Sequence, residues 1–191
     1  MPRRKPKLMS NKYLVVVDMQ NDFITGSLGT KEAQGIVPLV VERIKKAKEE
    51  GWEIFYTKDT HYRDYPMTQE GQKLPVLHCI YGTEGHNIHP DVLDAMKEYP
   101  AMEYVKNTFG SLNLADDISN FVKNELPLES FAVIEVIGLR TDTSVLSNAV
   151  LLKAFLPEAQ IFVNASCCAG VTPELHEAAL KTMASCQINI I

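Results

Sequence analysis

Residues Tyr13–Val17 read YLVVV, a short β-branched run that ends at Asp18, and this stretch decides the fold. An unbroken apolar run of this length is typical of a strand that is buried on both faces. Apolar residues at helical spacing follow in Ile36–Lys48, and Gly51 marks the end of that pattern. A buried strand followed by an amphipathic helix is the unit from which a helix-covered parallel sheet is built.

The same alternation of strand and helix continues to the end of the chain. Further strands are predicted at Glu53–Thr57, Tyr104–Val105, Phe131–Ile137, Gln160–Val163 and Ile188–Ile191. Further helices are predicted at Asp91–Lys97, Leu114–Asn124, Asp142–Phe155 and Pro173–Ala184. The sequence therefore predicts one Rossmann-like α/β domain over residues 12–191, with three α/β/α layers and a six-stranded, mainly parallel sheet.

Composition and charge exclude several classes of protein. The chain has 191 residues, of which 46% are hydrophobic and 23% charged, as in an ordinary globular domain that needs no disulfide or structural metal. Four of the 19 lysines and arginines lie in the first seven residues, which leaves 15 basic against 24 acidic residues elsewhere. An acidic body argues against a nucleic-acid groove. We expect residues 1–11 to form a flexible basic tail without the apolar segment of a signal peptide.

Membrane insertion and disulfide bonding are not expected either. No stretch approaches the roughly 18 apolar residues that a spanning helix requires. The four cysteines, Cys79, Cys167, Cys168 and Cys186, show no CxxC spacing, and an adjacent pair rarely forms a bridge. These features favour a reducing compartment and a cytoplasmic location.

Polar residues follow the predicted strands at their carboxyl ends. They are Asp18, Asp59 with His61, Lys106, and the segment 138–144. Ligands of open parallel sheets bind at this edge, near the point where the strand order reverses. The segment from Asp59 to Pro90 is also longer than a plain connection needs, and long ordered loops are usually functional. We expect these groups to converge.

Asp18 and Lys106 are the first candidate pair. Each follows an apolar run that should be interior. A buried pair of this kind can hold an ionised carboxylate beside a nucleophile, where it acts as a general base. The alternative is a solvated ion pair at the rim of the sheet.

Asp59, His61, Glu70 and His78 form a candidate metal site. Asp-x-His at the end of a strand points two ligands the same way, because side chains alternate along a strand. Imidazole and carboxylate groups suit zinc, iron or manganese. The alternative is a packed His78 and an ordinary turn at Asp59. We expect the other histidines, His86, His89 and His176, to be structural.

Ser144 is the third candidate, at the start of a predicted helix. Backbone N–H groups there can hold a developing oxyanion, and the helix dipole favours an anionic nucleophile. The alternative is a serine that only caps the helix.

From about Tyr13 onward, these stretches resemble the isochorismatase-like cysteine hydrolases and, among them, the nicotinamidases. VVVDMQNDFITGSL resembles the first-strand motif of that family, which places Asp18 as the catalytic aspartate and Phe23 as an aromatic residue of the substrate pocket. KNTFGS resembles the segment that carries the catalytic lysine, here Lys106. The resemblance implies the isochorismatase-like hydrolase fold, with three α/β/α layers, over residues 12–191.

The nicotinamidase metal motif is matched by KDTH and LHCIYGTEG. The match implies Asp59, His61 and His78 as ligands of a divalent metal, zinc first with iron or manganese as alternatives, and Glu70 as a further ligand. It also implies nicotinamide as a small-molecule substrate and assembly into homodimers or homotetramers. The apolar helix NAVLLKAFL, Asn148–Leu156, is consistent with a subunit contact. SCCAGVTPELHEAAL is family-like as well, and Cys167 and Cys168 are structural there.

One position departs from the family. Its turn reads Gly-x-x-Thr-Asp-x-Cys-Val, whereas Gly138–Val145 reads GLRTDTSV, so Ser144 replaces the nucleophilic cysteine. The resemblance implies an oxyanion hole of the Arg140 and Ser144 N–H groups, with a cis peptide between Leu139 and Arg140. A thiolate is a far better nucleophile at neutral pH than a hydroxyl, so a serine here should be slow or inert.

Several functions stay open at this point. The chain is a metal-dependent nicotinamidase-like amidohydrolase that forms nicotinate and ammonia, a ligand-binding protein of the same fold that has lost catalysis, or a hydrolase of another small amide. Ser144 itself is an engineered inactivation, a natural serine nucleophile or the mark of a natural pseudoenzyme. Cys79 is not expected to substitute, because it adjoins a metal ligand and not the oxyanion turn.

Overall fold

The computed structural model describes residues 10–191. Most of the predicted basic tail, residues 1–9, lies outside the described residues. Asn11, which the prediction included in the tail, already belongs to the domain, since its side-chain amide donates to the Phe131 carbonyl and its own carbonyl accepts from Val133 N–H. None of the described helices is long and apolar enough to cross a membrane.

Six strands form one sheet in the order β3-β2-β1-β4-β5-β6, and all five neighbouring pairs are parallel. The strands are β1 Lys12–Val17, β2 Glu53–Asp59, β3 Met102–Lys106, β4 Val133–Leu139, β5 Gln160–Ala169 and β6 Asn189–Ile190. The predicted parallel α/β fold is thereby confirmed.

Helices cover both faces of this sheet. They are α1 Asn21–Ile24, α2 Lys31–Glu49, α3 Gln69–Lys73, α4 Pro90–Met96, α5 Leu112–Glu125, α6 Leu146–Phe155 and α7 Pro173–Ser185. Buried residues of α2 and α4 belong to one hydrophobic core, and those of α5, α6 and α7 belong to a second core on the opposite face. The domain therefore has the three predicted layers.

The central strand β1 shows why the apolar runs produce this arrangement. Tyr13, Val15 and Val17 enter the core beneath α5–α7, while Leu14 and Val16 enter the core beneath α2. Successive side chains of a strand point to opposite faces, so a strand between two helical layers must be apolar at every position.

Several element ends differ from the predictions. Helix α2 begins at Lys31 and not at Ile36, because the Thr30 hydroxyl accepts a hydrogen bond from Ala33 N–H and caps the helix there. Strand β5 continues past Val163 to Ala169, beyond an irregularity in its pairing with β4. Polar residues in that extension hid it from a pattern based on apolar runs.

Strands β1 and β4 are neighbours in the middle of the sheet. From β1 the chain adds β2 and β3 toward one edge, and from β4 it adds β5 and β6 toward the other, so the strand order reverses between β1 and β4. At this point the two strands approach closely at Gly138, which has φ +115°; a Cβ there would lie 2.2 Å from the Val17 carbonyl oxygen. Only glycine fits this position. The crevice beyond the carboxyl ends of β1 and β4 is the place where ligands bind in open α/β sheets.

Candidate active site

Three strands bring Asp18, Lys106 and Ser144 together at this crevice. Asp18 follows β1, Lys106 ends β3, and Ser144 lies in the turn after β4. Lys106 Nζ lies 2.6 Å from Asp18 Oδ2 and donates a hydrogen bond of 3.4 Å to Ser144 Oγ. All three residues are buried, with at most 6% of their surface exposed. The alternative of a solvated rim pair is therefore wrong for Asp18 and Lys106.

Thr57 on β2 positions the Asp18 carboxylate. Its hydroxyl donates a 2.6 Å hydrogen bond to Asp18 Oδ1 and accepts a 3.1 Å hydrogen bond from Asp18 N–H. The Asp18 backbone has φ +45°, an uncommon conformation for a residue other than glycine. The threonine thus binds both the backbone and the side chain of the candidate base.

Burial and neighbouring charges set the protonation of this pair. Complete burial raises the pKa of Asp18, although the Lys106 ammonium and the Thr57 hydroxyl oppose that rise. Burial lowers the pKa of Lys106, but the carboxylates of Asp18 and Asp59 outweigh it and raise the pKa overall. A carboxylate with a raised pKa is a stronger base than an exposed one, which suits proton transfer near neutral pH.

Ser144 sits in a π-helical turn, Thr141–Val145, that precedes α6, so the predicted helix over Asp142–Phe155 begins with an irregular turn. The predicted cis peptide between Leu139 and Arg140 is present. Asn148 holds the turn, since its side-chain amide donates to the Ser144 carbonyl at 2.8 Å. Single π-turns of this kind occur frequently at functional sites.

The metal-binding candidates cluster beside the same lysine. Asp59 Oδ2 lies 3.0 Å from His61 Nε2 and 3.5 Å from His78 Nε2. One ligand atom from each of these three buried residues lies within 4.8 Å of the other two. Glu70 is more exposed, and its Oε1 lies 3.8 Å and 3.9 Å from the same two imidazole nitrogens. The four predicted ligands therefore converge.

The donor set fits a divalent metal. His78 Nδ1 lies 2.8 Å from the Val76 carbonyl, which can only accept, so Nδ1 carries a proton and a metal would be bound by Nε2 of the neutral imidazole. Such a hydrogen bond to the second ring nitrogen is common among metal-ligating histidines. Despite burial, hydrogen bonds from the two imidazoles and the Lys106 charge lower the pKa of Asp59. Two imidazoles and an ionised carboxylate suit zinc, iron or manganese.

Asp59 connects the two halves of the site. Its Oδ2 faces the histidines, while its Oδ1 lies 3.7 Å from Lys106 Nζ. The register of β2 and β3 produces this contact, because Asp59 and Lys106 are direct neighbours at the ends of those strands. The candidate metal site and the candidate catalytic lysine thus share one carboxylate.

Aromatic rings line the site. The predicted pocket residue Phe23 packs against His78, with ring centroids 5.5 Å apart. Tyr65, which sequence analysis did not identify, lies 4.5 Å from the His61 ring and 5.0 Å from the His78 ring. Tyr65 belongs to a short 3₁₀ turn inside the long loop, where no sequence periodicity marks it.

Gln20 is a further buried residue that sequence analysis missed. Its side-chain oxygen accepts from Asp59 N–H at 2.7 Å, and its side-chain nitrogen donates to the carbonyls of Asp59 and His86. Gln20, which follows β1, is therefore hydrogen-bonded both to the end of β2 and to His86 in the loop between β2 and α4. The available signal in the sequence was that Gln20 is a polar residue two positions after Asp18.

The other histidines lie outside the metal cluster. His86 pairs with the Thr60 hydroxyl, His89 accepts from Asp91 N–H at the start of α4, and His176 pairs with the Thr141 hydroxyl. Each of these histidines thus has a hydrogen-bond partner outside the metal cluster, and their structural role stays a prediction.

The cysteines offer no replacement for Ser144 among the described residues. Cys79 is buried, and its N–H donates to the Asp22 carboxylate. Burial, with Asp59 and Asp18 nearby, raises the pKa of its thiol far above the ordinary value, so that it is protonated at neutral pH. Cys167 and Cys168 are buried free thiols at the end of β5.

Comparison with known proteins identifies one family. Residues 12–191 match the family model of the isochorismatase domain. No match to the chain was found among curated proteins.

Solved structures share the fold over nearly the whole chain. The zinc complex of pyrazinamidase from Pyrococcus horikoshii is 26% identical, with a TM-score of 0.78 over 95% of this chain and 99% of that one. The pyrazinamidase/nicotinamidase of Streptococcus mutans UA159 is 24% identical, with a TM-score of 0.80 over 94% and 99%. The nicotinamidase/pyrazinamidase of Bacillus subtilis is 24% identical, with a TM-score of 0.77 over 94% and 98%.

Proposed function

The chain belongs to the isochorismatase family, and from this premise we propose that it is a metal-dependent amidohydrolase of the nicotinamidase type. Its substrate would be nicotinamide or a related small amide, which is cleaved to the acid and ammonia. The observation that carries the proposal is the shared site in which Lys106 Nζ lies 2.6 Å from Asp18, 3.4 Å from Ser144 and 3.7 Å from the proposed metal ligand Asp59.

The geometry supports a two-step acyl transfer. Ser144 Oγ attacks the amide carbon while its proton passes to Asp18, and Lys106 stabilises the charges of the pair. The N–H groups of Arg140 and Ser144 hold the oxyanion. The C–N bond then breaks, and ammonia leaves with the proton from Asp18. Water, deprotonated by Asp18, hydrolyses the acyl ester and regenerates Ser144.

Asp59, His61 and His78 would hold the metal, with Glu70 as a further ligand. A bound divalent ion would supply a fixed positive centre that orients the pyridine nitrogen or a water next to it. Phe23 and Tyr65 would confine the ring beside the imidazoles. Zinc is the first choice, since the Pyrococcus horikoshii pyrazinamidase was solved in complex with zinc.

The hydroxyl at position 144 limits the rate. The ordinary nucleophile of this site is a thiolate, which the ammonium of Lys106 can hold ionised, whereas a serine hydroxyl stays protonated until attack. We expect Ser144→Cys to raise kcat for nicotinamide by about 100-fold or more. The experiment measures ammonia release by metal-loaded protein for the chain as given and for Ser144→Cys. If neither form releases ammonia from nicotinamide, this substrate is wrong.

Ser144 also favours a second candidate function, a protein that binds the amide without cleaving it. Calorimetry would then show nicotinamide binding by the chain as given, with no ammonia release by that form. Turnover by the chain as given eliminates this candidate.

Assembly and location stay predictions. Val150 on α6 is partly exposed, which is compatible with the predicted subunit contact of a homodimer or homotetramer. A cytoplasmic location is likewise expected from the free cysteines.

A further inference from the structure

Arg140 is the charged side chain of the site that neither the acyl transfer nor the metal cluster uses. Its guanidinium lies 5.5 Å from the centre of the Phe23 ring, and that ring packs against His78 on the metal side of the pocket. One Nη2 N–H donates to the Leu28 carbonyl. The side chain therefore lies along the wall that Phe23 forms, four residues before Ser144.

The Arg140 guanidinium forms no salt bridge with the residues that the structure describes. Among residues 10–191, no carboxylate lies within 4 Å of the guanidinium, and the Leu28 carbonyl is the one acceptor that it contacts. The side chain is partly buried, and burial lowers the pKa of Arg140, although the Asp142 charge opposes that effect. Asp142 lies beyond salt-bridge distance, and its Oδ1 accepts from Val171 N–H. A partly buried cation without a directly paired counter-ion is costly, which makes an anionic ligand favourable there.

We propose that Arg140 is a specificity residue that binds a carboxylate of the substrate, and that the substrate is a small primary amide which also carries that carboxylate. This inference rests on the proposed amidohydrolase function and specifies its substrate class.

The chemistry of the guanidinium supports a carboxylate. The guanidinium lies over the Phe23 ring at 5.5 Å, and Leu28 uses one of its five N–H donors. The N–H edges that are left can bind a carboxylate through two parallel hydrogen bonds, a geometry that a neutral ring nitrogen cannot offer. Because Arg140 immediately precedes the turn that carries Ser144, one small molecule can place its amide at Ser144 and its carboxylate at Arg140.

Binding to the slow Ser144 form tests the inference without turnover. Calorimetry would compare benzamide with the three positional isomers of carbamoylbenzoate, and butyramide with succinamate as an aliphatic pair. We expect the carboxylated member of at least one pair to bind about tenfold tighter or more. Arg140→Gln should reduce that ratio to about 1, and Arg140→Lys should retain part of it.

Arg63→Gln is the matched control, because Arg63 is an exposed arginine of the loop after β2 and its loss changes the net charge equally. The ratio should survive in this variant. Absence of any preference for the carboxylated amides, or a preference that persists in Arg140→Gln, overturns the inference. Ammonia release from nicotinamide by Ser144→Cys reports separately on the proposed function, so the two failures are distinguishable.

Discussion

At the residue scale, the Thr57 hydroxyl positions the Asp18 carboxylate. Thr57 donates to one carboxylate oxygen and accepts from the Asp18 N–H, while Lys106 faces the other oxygen. Thr57→Val keeps the shape of the side chain but removes both hydrogen bonds. Because a buried polar group left without a partner costs about 1–3 kcal/mol, we expect the free energy of unfolding to fall by that amount in denaturant titrations.

The same variant should alter the pH dependence of catalysis. The Thr57 hydroxyl stabilises the charged form of Asp18 and so lowers its pKa against the effect of burial. Its loss raises the pKa of Asp18 further, and catalysis requires the carboxylate. In the Ser144→Cys background the acidic limb of kcat/KM should therefore move to higher pH. Thr182→Val, at an exposed position of α7, serves as control and should change neither quantity. An unmoved acidic limb would contradict the role given to Asp18.

Some site residues were visible in the sequence because of where they stand relative to strands. Asp18, Asp59 and Lys106 each terminate an apolar run, and the parallel sheet brings such ends to one edge. Thr57 and Asn148 were not visible, since each is a polar residue inside a regular element whose partner lies about 40 residues away in the chain. Contacts of that range depend on strand register, which a single sequence does not specify.

At the element scale, one buried ion pair attaches α2 to the centre of the sheet. Arg43 on α2 donates three hydrogen bonds of 2.7–2.9 Å to Glu135 on β4, and its guanidinium stacks on Trp52 at 4.3 Å. Asn164 on β5 donates a further hydrogen bond to Glu135. Glu135 is 4% exposed, so removal of the arginine leaves a buried carboxylate without its counter-ion.

Arg43→Met should accordingly lower the free energy of unfolding by about 3–5 kcal/mol. The double variant Arg43→Met/Glu135→Leu should recover most of that loss, because a matched apolar pair carries no uncompensated charge. Chemical denaturation of the wild type, both single variants and the double variant gives the coupling energy. If the double variant is no more stable than Arg43→Met, the ion pair contributes more to stability than the neutralisation of one buried charge by the other.

The sequence predicted the six strands and five of the helices, but it did not predict the short helices α1 and α3, and the ends of the elements were less accurate. All six strands appeared as apolar runs, yet β5 extends six residues beyond its run because its later residues pair with the part of β4 that follows the irregularity. The turn Thr141–Val145 was predicted as ordinary helix. Its π geometry has no periodicity in the sequence that distinguishes it from an ordinary helix.

At the scale of the whole molecule, the site joins parts of the chain that are far apart in sequence. Asp18 and Ser144 follow the two strands between which the strand order reverses, while His61 and His78 belong to the long loop between β2 and α4. Short pairings hold that loop to the domain, including one between His61 and Ile80 and one between Gln20 and Ile88. A metal bound by Asp59, His61 and His78 would connect the end of β2 to two separate points of that loop.

Metal binding should therefore stabilise the entire fold. A ligand present at 100 times its Kd stabilises the folded state by about 2.7 kcal/mol, which raises the Tm of a domain of this size by roughly 5–10 °C. We expect zinc, iron or manganese to produce such a rise in calorimetric scans of the metal-free protein, and Asp59→Ala to abolish both the rise and nicotinamide binding. Asp64→Ala removes an exposed carboxylate of the same loop and should preserve both. Tight nicotinamide binding by Asp59→Ala would contradict a role of the metal in substrate binding, because the Asp59 carboxylate would then be dispensable.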